Sequence, residues 1–179
     1  MATKSRKPAG SKSGGAKGAR QRAPLWTPLV PRGLAEAVGP FSRAVRVGDQ
    51  LHIAGTTALS HISGDYYERF VPKGIEAQTR LTLENIRRTV EDAGGRMSDI
   101  FKVTVMLKNP SDYRKFNAVR AEYFRDHPPI STCFRAEVMR SDILVEIDAQ
   151  AVLPPARKAA RKPASRKAVA KKAVARKAK

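Results

Sequence analysis

Hydrophobic and polar positions in the first half of the chain predict a β-hairpin followed by a helix. The apolar-rich runs at 44–47 and 51–56 are short, and Gly48-Asp49 between them is a typical hairpin turn. From Ile75 the apolar positions recur every three or four residues until Gly94-Gly95. This period predicts an amphipathic helix that ends at glycine.

An alternating stretch and a second helical stretch follow. Residues 100–108 alternate apolar with more polar side chains, which predicts a strand. Its core face carries Phe101, Val103, Val105 and Leu107. Asn109-Pro110 favours the start of a helix, because Asn caps free backbone N–H groups and proline suits the first turn. We predict that this helix runs to about Arg125. One side of it carries Tyr113, Phe116, Arg120 and Tyr123 or Phe124, with Asn117 beside Phe116.

Residues 129–152 are predicted to form a second β-hairpin. Two apolar-rich runs, at 130–138 and 143–152, are separated by turn chemistry at 139–142. Since side chains alternate along a strand, the second run has one core face and one face with two carboxylates. The core face carries Ile143, Val145, Ile147, Ala149 and Ala151, and the other face carries Glu146, Asp148 and Gln150.

Together these elements predict an α+β fold in which two helices cover one face of a mixed β-sheet. The opposite face needs another cover, because Met106, Leu144 and Val152 lie where one layer of helices cannot bury them. The sequence therefore predicts an oligomer.

Charge divides the 179-residue chain into a body and two tails. Residues 1–24 carry seven Lys or Arg and residues 154–179 carry eleven, with no acid in either, whereas residues 25–153 have a net charge of only +1. Tails of this composition lack the apolar surface needed to offset the entropy of ordering, so we expect them to be disordered when free. The folded unit is predicted to be a single domain of residues 25–153.

Few classes of site fit the remaining composition. Cys133 is the only cysteine, so the chain has no intramolecular disulfide, and no His, Cys or acid spacing predicts a metal site. We expect no cofactor. No apolar run is long enough to span a membrane, which predicts a soluble, cytoplasmic protein with no membrane partner.

Four segments in register resemble the reactive intermediate deaminase family, also called RidA, YjgF or L-PSP. They are GPFSRAVRVGDQLHIAGTTAL, EAQTRLTLENIRRTVEDAGG, DIFKVTVMLKNPSDYRKFNAVRAEYF and STCFRAEVMRSDILVEIDAQAVL. The resemblance runs from about Gly39 to Leu153. It implies a chorismate-mutase-like fold and a homotrimer with ligand pockets in the clefts between subunits. It also implies hydrolysis of reactive enamines and imines derived from amino acids.

The resemblance also implies a set of site residues. The family's acid, which positions water, matches Glu146, its helix asparagine matches Asn117, and its strand cysteine matches Cys133. The pocket tyrosine of the family falls at Phe41. Its carboxylate-binding arginine falls at Ser131, and backbone groups around Ser131, Thr132 and Cys133, with the Asn117 amide, are expected to hold the ligand.

Serine at position 131 weakens the expected anion site. It offers one neutral hydrogen bond where arginine offers a charged pair, a loss of about 2 to 4 kcal/mol, or about 30-fold to 1000-fold. Arg135 shares the strand parity of Ser131 but lies about 13 Å further on. Arg43 and Arg140 are the remaining candidates for a replacement cation.

Each intact position also has a structural interpretation. Glu146 is either a base that orients water or an acid held by a basic neighbour at a subunit interface. Cys133 is either a nucleophile, which requires a base nearby, or a packed side chain, and we favour packing. Asn117 either binds a ligand or caps a backbone group.

The C-terminal tail carries basic pairs at an interval of mostly five residues. They are Arg157, Lys158, Arg161, Lys162, Arg166, Lys167, Lys171, Lys172, Arg176 and Lys177. Such a spacing spirals around a helix rather than forming a stripe, which argues against an amphipathic membrane helix. We favour sequence-independent binding of nucleic acid, and hence nucleoid association, over a merely solubilising tail.

The leading hypothesis is a RidA-like homotrimer that binds a small metabolite in intersubunit clefts, has enamine or imine deaminase activity, and is tethered to nucleic acid by its tails. The alternative is a noncatalytic trimeric scaffold that presents nucleic-acid-binding tails. An endoribonuclease role ranks last, because no pair of histidines or other nuclease constellation is evident.

Overall fold

A computed structural model of the chain describes residues 23–34, 37–60 and 65–155. The described part forms one six-stranded mixed sheet with two α-helices, in the strand order β1-β2-β3-β6-β4-β5. The strands are β1 (Thr27–Leu29), β2 (Ala44–Val47), β3 (Gln50–Thr57), β4 (Ile100–Leu107), β5 (Ile130–Arg135) and β6 (Val145–Val152). The helices are α1 (Ile75–Asp92) and α2 (Tyr113–Phe124). The predicted α+β class, with a mixed sheet and two helices, is confirmed.

The tails lie almost entirely outside the described residues. The ten basic residues proposed to bind nucleic acid all belong to the undescribed range 156–179, and residues 1–22 are also outside it.

The first hairpin and the first helix occur as predicted. β2 and β3 pair antiparallel through a two-residue turn in which Gly48 has a φ of 63°. α1 ends in a Schellman motif, where the N–H groups of Gly94 and Gly95 donate to the carbonyls of Glu91 and Val90. Gly94 has a φ of 90°, which explains why glycine stands there.

The core lies between the helices and one face of the sheet. Apolar side chains of α1 and α2 pack on every second residue of β4 and β6. Large side chains among them that are at most 2% exposed include Leu83, Ile86, Val90, Phe116, Val103, Val105, Val145 and Ile147. The predicted core face of β6 is therefore confirmed, and its other face carries the half-buried Glu146, Asp148 and Gln150.

The predicted hairpin between 130–138 and 143–152 is wrong. β5 pairs in parallel with β4, and β6 pairs antiparallel with β3 and β4, so β4 separates the two strands. The cause is the crossover through α2, which returns the chain beside β4 in the same direction. The connection then passes across the end of β4, where the Ala136 N–H donates to the Leu107 carbonyl and the Lys108 N–H to the Leu144 carbonyl.

The predicted core face of β4 and the predicted start of α2 each need a correction. Phe101 is 39% exposed, because the pairing with β6 shifts register between Ile100 and Lys102 and turns Ile100 inward instead. A 3₁₀ turn, Pro110–Asp112, precedes α2, so the helix begins three residues later than predicted. Tyr113 is consequently exposed, and the buried face consists of Phe116, Val119 and Phe124.

An additional edge strand, β1, was not predicted. It pairs antiparallel with β2 over only three residues and includes Pro28, so it has no clear alternation. The segment after it is attached to the end of α1, where the backbone N–H and Nε of Arg32 both donate to the Asp92 carboxylate.

None of the described residues covers the sheet face away from the helices. Val152 at its edge is 48% exposed, and Met106 and Leu144 are only half-buried. This pattern agrees with the expectation that another subunit covers this face. Among the described helices, none has the length and apolarity needed to cross a membrane.

Candidate ligand-binding surfaces

The candidate site residues lie in two separate cavities. The first, here the Glu146 cavity, has a volume of about 350 Å³, and its lining includes Phe41, Arg43, Gly55, Asn85 and Glu146. The second, here the Arg120 cavity, has a volume of about 480 Å³, and its lining includes Tyr113, Arg120, Ser131, Cys133 and Arg135.

Glu146 is placed by the alternation of β6. Its neighbours Val145 and Ile147 point into the core, so its own side chain points to the opposite face of the sheet. No hydrogen bond or ion pair to its carboxylate is found within the described part of the chain. Burial raises the pKa of the Glu146 carboxyl, and the Asp148 carboxylate raises this pKa further. The result is a half-buried carboxylate without a counterion.

Gly55 allows Glu146 to lie close to β3. A Cβ atom at position 55 would overlap Oε1 of Glu146 and would lie 3.0 Å from its Cδ. The register of β3 against β6 also shifts here, between Ile53 and Thr56. Glycine at position 55 is therefore required by the close approach of the carboxylate.

Asn85, from α1, was missed by the sequence reasoning. Its Nδ2 donates to the carbonyls of Thr57 and Leu59, at 3.1 and 3.2 Å, and so fixes the wall of the Glu146 cavity. Its buried Oδ1 has no hydrogen-bond partner among the described residues. A polar residue on the apolar face of a predicted amphipathic helix was the available signal.

Arg140, a candidate for the replacement cation, has another role. Its Nη1 donates to the carbonyls of Tyr66 and Arg69, at 2.7 and 3.0 Å, and its guanidinium pairs with Asp142. It also lies over the ring of Tyr66, which lines the Glu146 cavity. Arg140 therefore holds the segment around Tyr66 in place rather than replacing the missing arginine.

The Arg120 cavity contains a cation that the sequence reasoning did not assign to the site. Ser131 and Cys133 pair with the buried Val103 and Val105 of β4, so they face the helices. There Nη1 of Arg120, from α2, donates to Oγ of Ser131 at 2.9 Å. The sequence signal was the spacing of Arg120, four residues after Phe116 on the same side of the helix.

Cys133 fits the packed interpretation better than the nucleophilic one. Burial raises the pKa of its thiol, and the nearby guanidinium of Arg120 only partly opposes this effect. A raised pKa leaves less thiolate at neutral pH, and the thiolate is the nucleophilic form.

Asn117 and Thr132 line neither cavity. Thr132 alternates with Ser131 and Cys133, so it points to the other face of the sheet. The buried Oδ1 of Asn117 has no hydrogen-bond partner among the described residues. Within one chain, neither residue joins the other predicted site residues.

One small ligand cannot contact both cavities of the same chain. Glu146 pairs with Met106 on β4, which pairs with Phe134 on β5, and Ser131 lies three residues before Phe134. With about 4.8 Å between strands and about 3.3 Å per residue, the backbones of Glu146 and Ser131 are about 14 Å apart. Their side chains also point to opposite faces of the sheet. Within one chain the two cavities are thus separate, and each is called a half-site here.

The donor set does not suggest a metal centre. Among the residues described, no group of three or more His, Cys, Asp or Glu side chains is arranged to hold an ion.

Comparisons with known proteins identify relatives across the folded part of the chain. A family described as Endoribonuclease L-PSP, Ribonuc_L-PSP, matches residues 33–153. A RutC family protein of Pyrococcus horikoshii is 39% identical over 114 residues, which cover 64% of this chain and 87% of the relative. The 2-iminobutanoate/2-iminopropanoate deaminase of Escherichia coli K12 is 31% identical over 119 residues, which cover 65% of this chain and 89% of the relative.

Solved structures share the fold. The structure of E. coli TdcF with bound serine has a TM-score of 0.63 at 26% identity, covering 72% of this chain and 99% of that one. The YjgF gene product of E. coli has a TM-score of 0.63 at 27% identity, covering 70% and 98%. Since the family match spans nearly all of the folded residues, this chain belongs to the Ribonuc_L-PSP (RidA/YjgF) family.

Proposed function

We propose that the protein is a homotrimer that hydrolyses small enamines or imines in the clefts between its subunits, with Glu146 as the base. The observation that carries this proposal is the Glu146 carboxylate, which is half-buried in a cavity, has a raised pKa and has no counterion among the residues that the structure describes. Perturbed carboxyls of this kind are typical of catalytic sites. The E. coli relative named 2-iminobutanoate/2-iminopropanoate deaminase supports the reaction class.

The two half-sites support the assembly. The family is typically trimeric, and this chain leaves the sheet face that carries Glu146 without a cover. If one subunit's Glu146 cavity meets its neighbour's Arg120 cavity, both can contact one ligand that neither half-site can enclose alone. The trimer in this way completes the site.

The chemistry requires only water and a base. Glu146 accepts a proton from water as the oxygen adds to the carbon of the C=N bond, and it passes this proton to the imine nitrogen, which gives a neutral carbinolamine. Glu146 then takes the hydroxyl proton of the carbinolamine and delivers it to the nitrogen as the C–N bond breaks, which releases ammonia and the carbonyl product. One imine and one water thus give one carbonyl compound and one ammonia.

A substrate panel tests the proposal. The full-length protein should accelerate release of ammonia from freshly generated 2-aminoacrylate, from the 2-imino acids that follow from it, and from imines without a carboxylate. The rate is compared with the spontaneous rate in buffer. No acceleration on any substrate would leave the trimer as a noncatalytic scaffold.

On the acid side of the pH profile, kcat/KM is expected to fall at a higher pH than it would with an ordinary glutamate as the base. Glu146 acts as a base only when it is ionised. Because its pKa is raised above the value of about 4.3 of an ordinary glutamate, acidification removes its charge at a higher pH. We expect kcat/KM to fall as the pH drops through this raised pKa. The check is kcat/KM measured from pH 4 to 8, corrected for spontaneous hydrolysis. A rate that stays flat down to about pH 4 would contradict the assignment.

Gly55→Ala is expected to impair activity with little effect on folding. Gly55 does not have a positive φ, so its backbone accepts alanine, and the flexible Glu146 carboxylate must move instead. We expect turnover to fall about 10- to 100-fold, since small misplacements cost that much. The free energy of unfolding should change by less than about 1 kcal/mol. Kinetics and denaturant unfolding, measured on the same samples, check the loss of turnover and the unchanged stability. Full activity of Gly55→Ala would contradict the assignment of Glu146 as the base.

We also propose that the tails bind nucleic acid without sequence specificity. The motivating observation is the segregation of charge, with 18 basic and no acidic residues in the tails against a nearly neutral body. Three chains in a trimer would add their weak contacts through avidity. In a bacterial cytoplasm, such a protein would associate with the nucleoid.

A further inference from the structure

We infer that Arg120, from α2, takes the place of the strand arginine and binds the carboxylate of the ligand. The inference deepens the proposed function and rests on it for the location of the site. What it adds is the residue: a cation on α2 would bind the ligand carboxylate in a chain in which position 131 has lost its cation.

The geometry places the guanidinium beside the missing side chain. The Ser131 side chain ends at Oγ, and Nη1 of Arg120 lies 2.9 Å from that atom. A guanidinium carries five N–H donors, and Ser131 uses one of them. The others remain for a carboxylate, whose two oxygens match the paired N–H groups of a guanidinium.

The charge of Arg120 is not neutralised by an acid. Its hydrogen-bond partner is a neutral hydroxyl, and no ion pair to it occurs within the described ranges. Other arginines of the fold differ in this respect: Arg80 pairs with Glu122, and Arg140 with Asp142. Arg120 therefore presents an uncompensated positive charge to its cavity.

Two contacts hold the guanidinium in position. Its central carbon lies 5.4 Å from the centre of the Phe116 ring, one turn earlier on α2, within the range of a cation–π contact. The Ser131 hydroxyl fixes the other side. In this arrangement Ser131 is a positioning residue for Arg120, and the pair together replaces one arginine.

The cavity suits a small anion in other respects. Arg135 also lines it and adds a second positive charge, while Leu107 and Tyr113 supply apolar surface. Cys133 lines the same cavity; burial raises the pKa of its thiol, and the nearby Arg120 guanidinium partly opposes this effect. The related TdcF has been solved with serine, a ligand that carries a carboxylate.

Calorimetric titration with 2-oxobutanoate, and with its neutral methyl ester, tests the inference on the full-length protein. Arg120→Gln should weaken binding of the acid about 10- to 100-fold and leave binding of the ester nearly unchanged. Arg120→Lys should retain part of the affinity, because it keeps the charge but not the paired donors. The matched control is Arg114→Gln on the exposed side of the same helix, which should bind as the wild type does.

A rescue variant separates binding from folding. Ser131→Arg in the Arg120→Gln background should restore the affinity, since it returns the cation to the strand. Acid binding that is unaffected by Arg120→Gln, or absent from the wild type, would overturn the inference. Because binding is measured without turnover, Arg120-dependent binding by a protein that hydrolyses no imine would refute the deaminase proposal and uphold the anion site.

Discussion

Glu146→Gln is expected to lower imine hydrolysis about 10²- to 10⁴-fold, the usual contribution of a positioned base. Glutamine keeps the size of the side chain and its capacity for hydrogen bonding, but its amide cannot accept a proton from water. The carboxylate has no counterion among the described residues, so its removal also relieves unfavourable burial of charge. The variant should be at least as stable as the wild type while losing activity. Initial rates of ammonia release and the unfolding midpoint, measured together, check both expectations.

Asp148→Asn is the matched control for this experiment. Asp148 lies on the same face of β6, two residues further on, and its own pKa is raised by burial. It does not line the Glu146 cavity, but its charge raises the pKa of Glu146. We therefore expect Asp148→Asn to keep the wild-type turnover at neutral pH. Because the variant lowers the pKa of Glu146, the fall of kcat/KM on the acid side should move to a lower pH. If the two variants lost activity equally, the negative charge of this sheet face, rather than a base at Glu146, would account for the activity.

Local periodicity predicted both helices and five of the six described strands, but not all of their neighbours in the sheet. The faces of α1 and β6 follow from spacing alone, because each side chain either reaches the core or does not. Pairing partners depend on the path of the chain between strands. The run after Pro129 has the same alternation whether it joins β6 in a hairpin or β4 through a crossover. Alternation alone therefore does not identify the strand with which it pairs.

The same limit applies to the candidate site. The resemblance indicates the loss of an arginine at Ser131. Of the candidates for a replacement cation, Arg135 on the same strand lies too far along it, which leaves Arg43 and Arg140 in loops. The residue that reaches Ser131 is Arg120, on a different element. Packing of α2 against β5 brings them together, and the spacing of residues within either element carries no information about that packing.

This contact changes how the departure from the family pattern is interpreted. A serine alone predicts a weak anion site. A serine hydrogen-bonded to an unpaired guanidinium predicts a site of similar charge, reached from the helix side of the edge strand. In this interpretation α2 rather than β5 carries the cation of the site, and 2-imino acids are expected substrates.

Neutralising the paired basic residues of the C-terminal tail is expected to weaken nucleic-acid binding strongly in a protein whose body remains intact. The variant is full-length and carries Gln at the ten paired basic positions: Arg157, Lys158, Arg161, Lys162, Arg166, Lys167, Lys171, Lys172, Arg176 and Lys177. These residues supply ten of the 18 tail charges, and the body has a net charge of only +1. Affinity for a random-sequence duplex at about 50 mM salt should fall by at least about 10³-fold.

Salt dependence gives this prediction a second, independent measure. If six to ten phosphates are contacted, the wild-type affinity should fall by about 10³- to 10⁵-fold between 50 and 200 mM salt, because each contact releases a condensed counterion. The Gln variant should show a much flatter dependence. Arg114→Gln, with one exposed charge removed from the body, should keep the wild-type slope. Retention of the steep slope by the Gln variant would locate nucleic-acid binding in the N-terminal tail or in the body, and the C-terminal assignment would then be wrong.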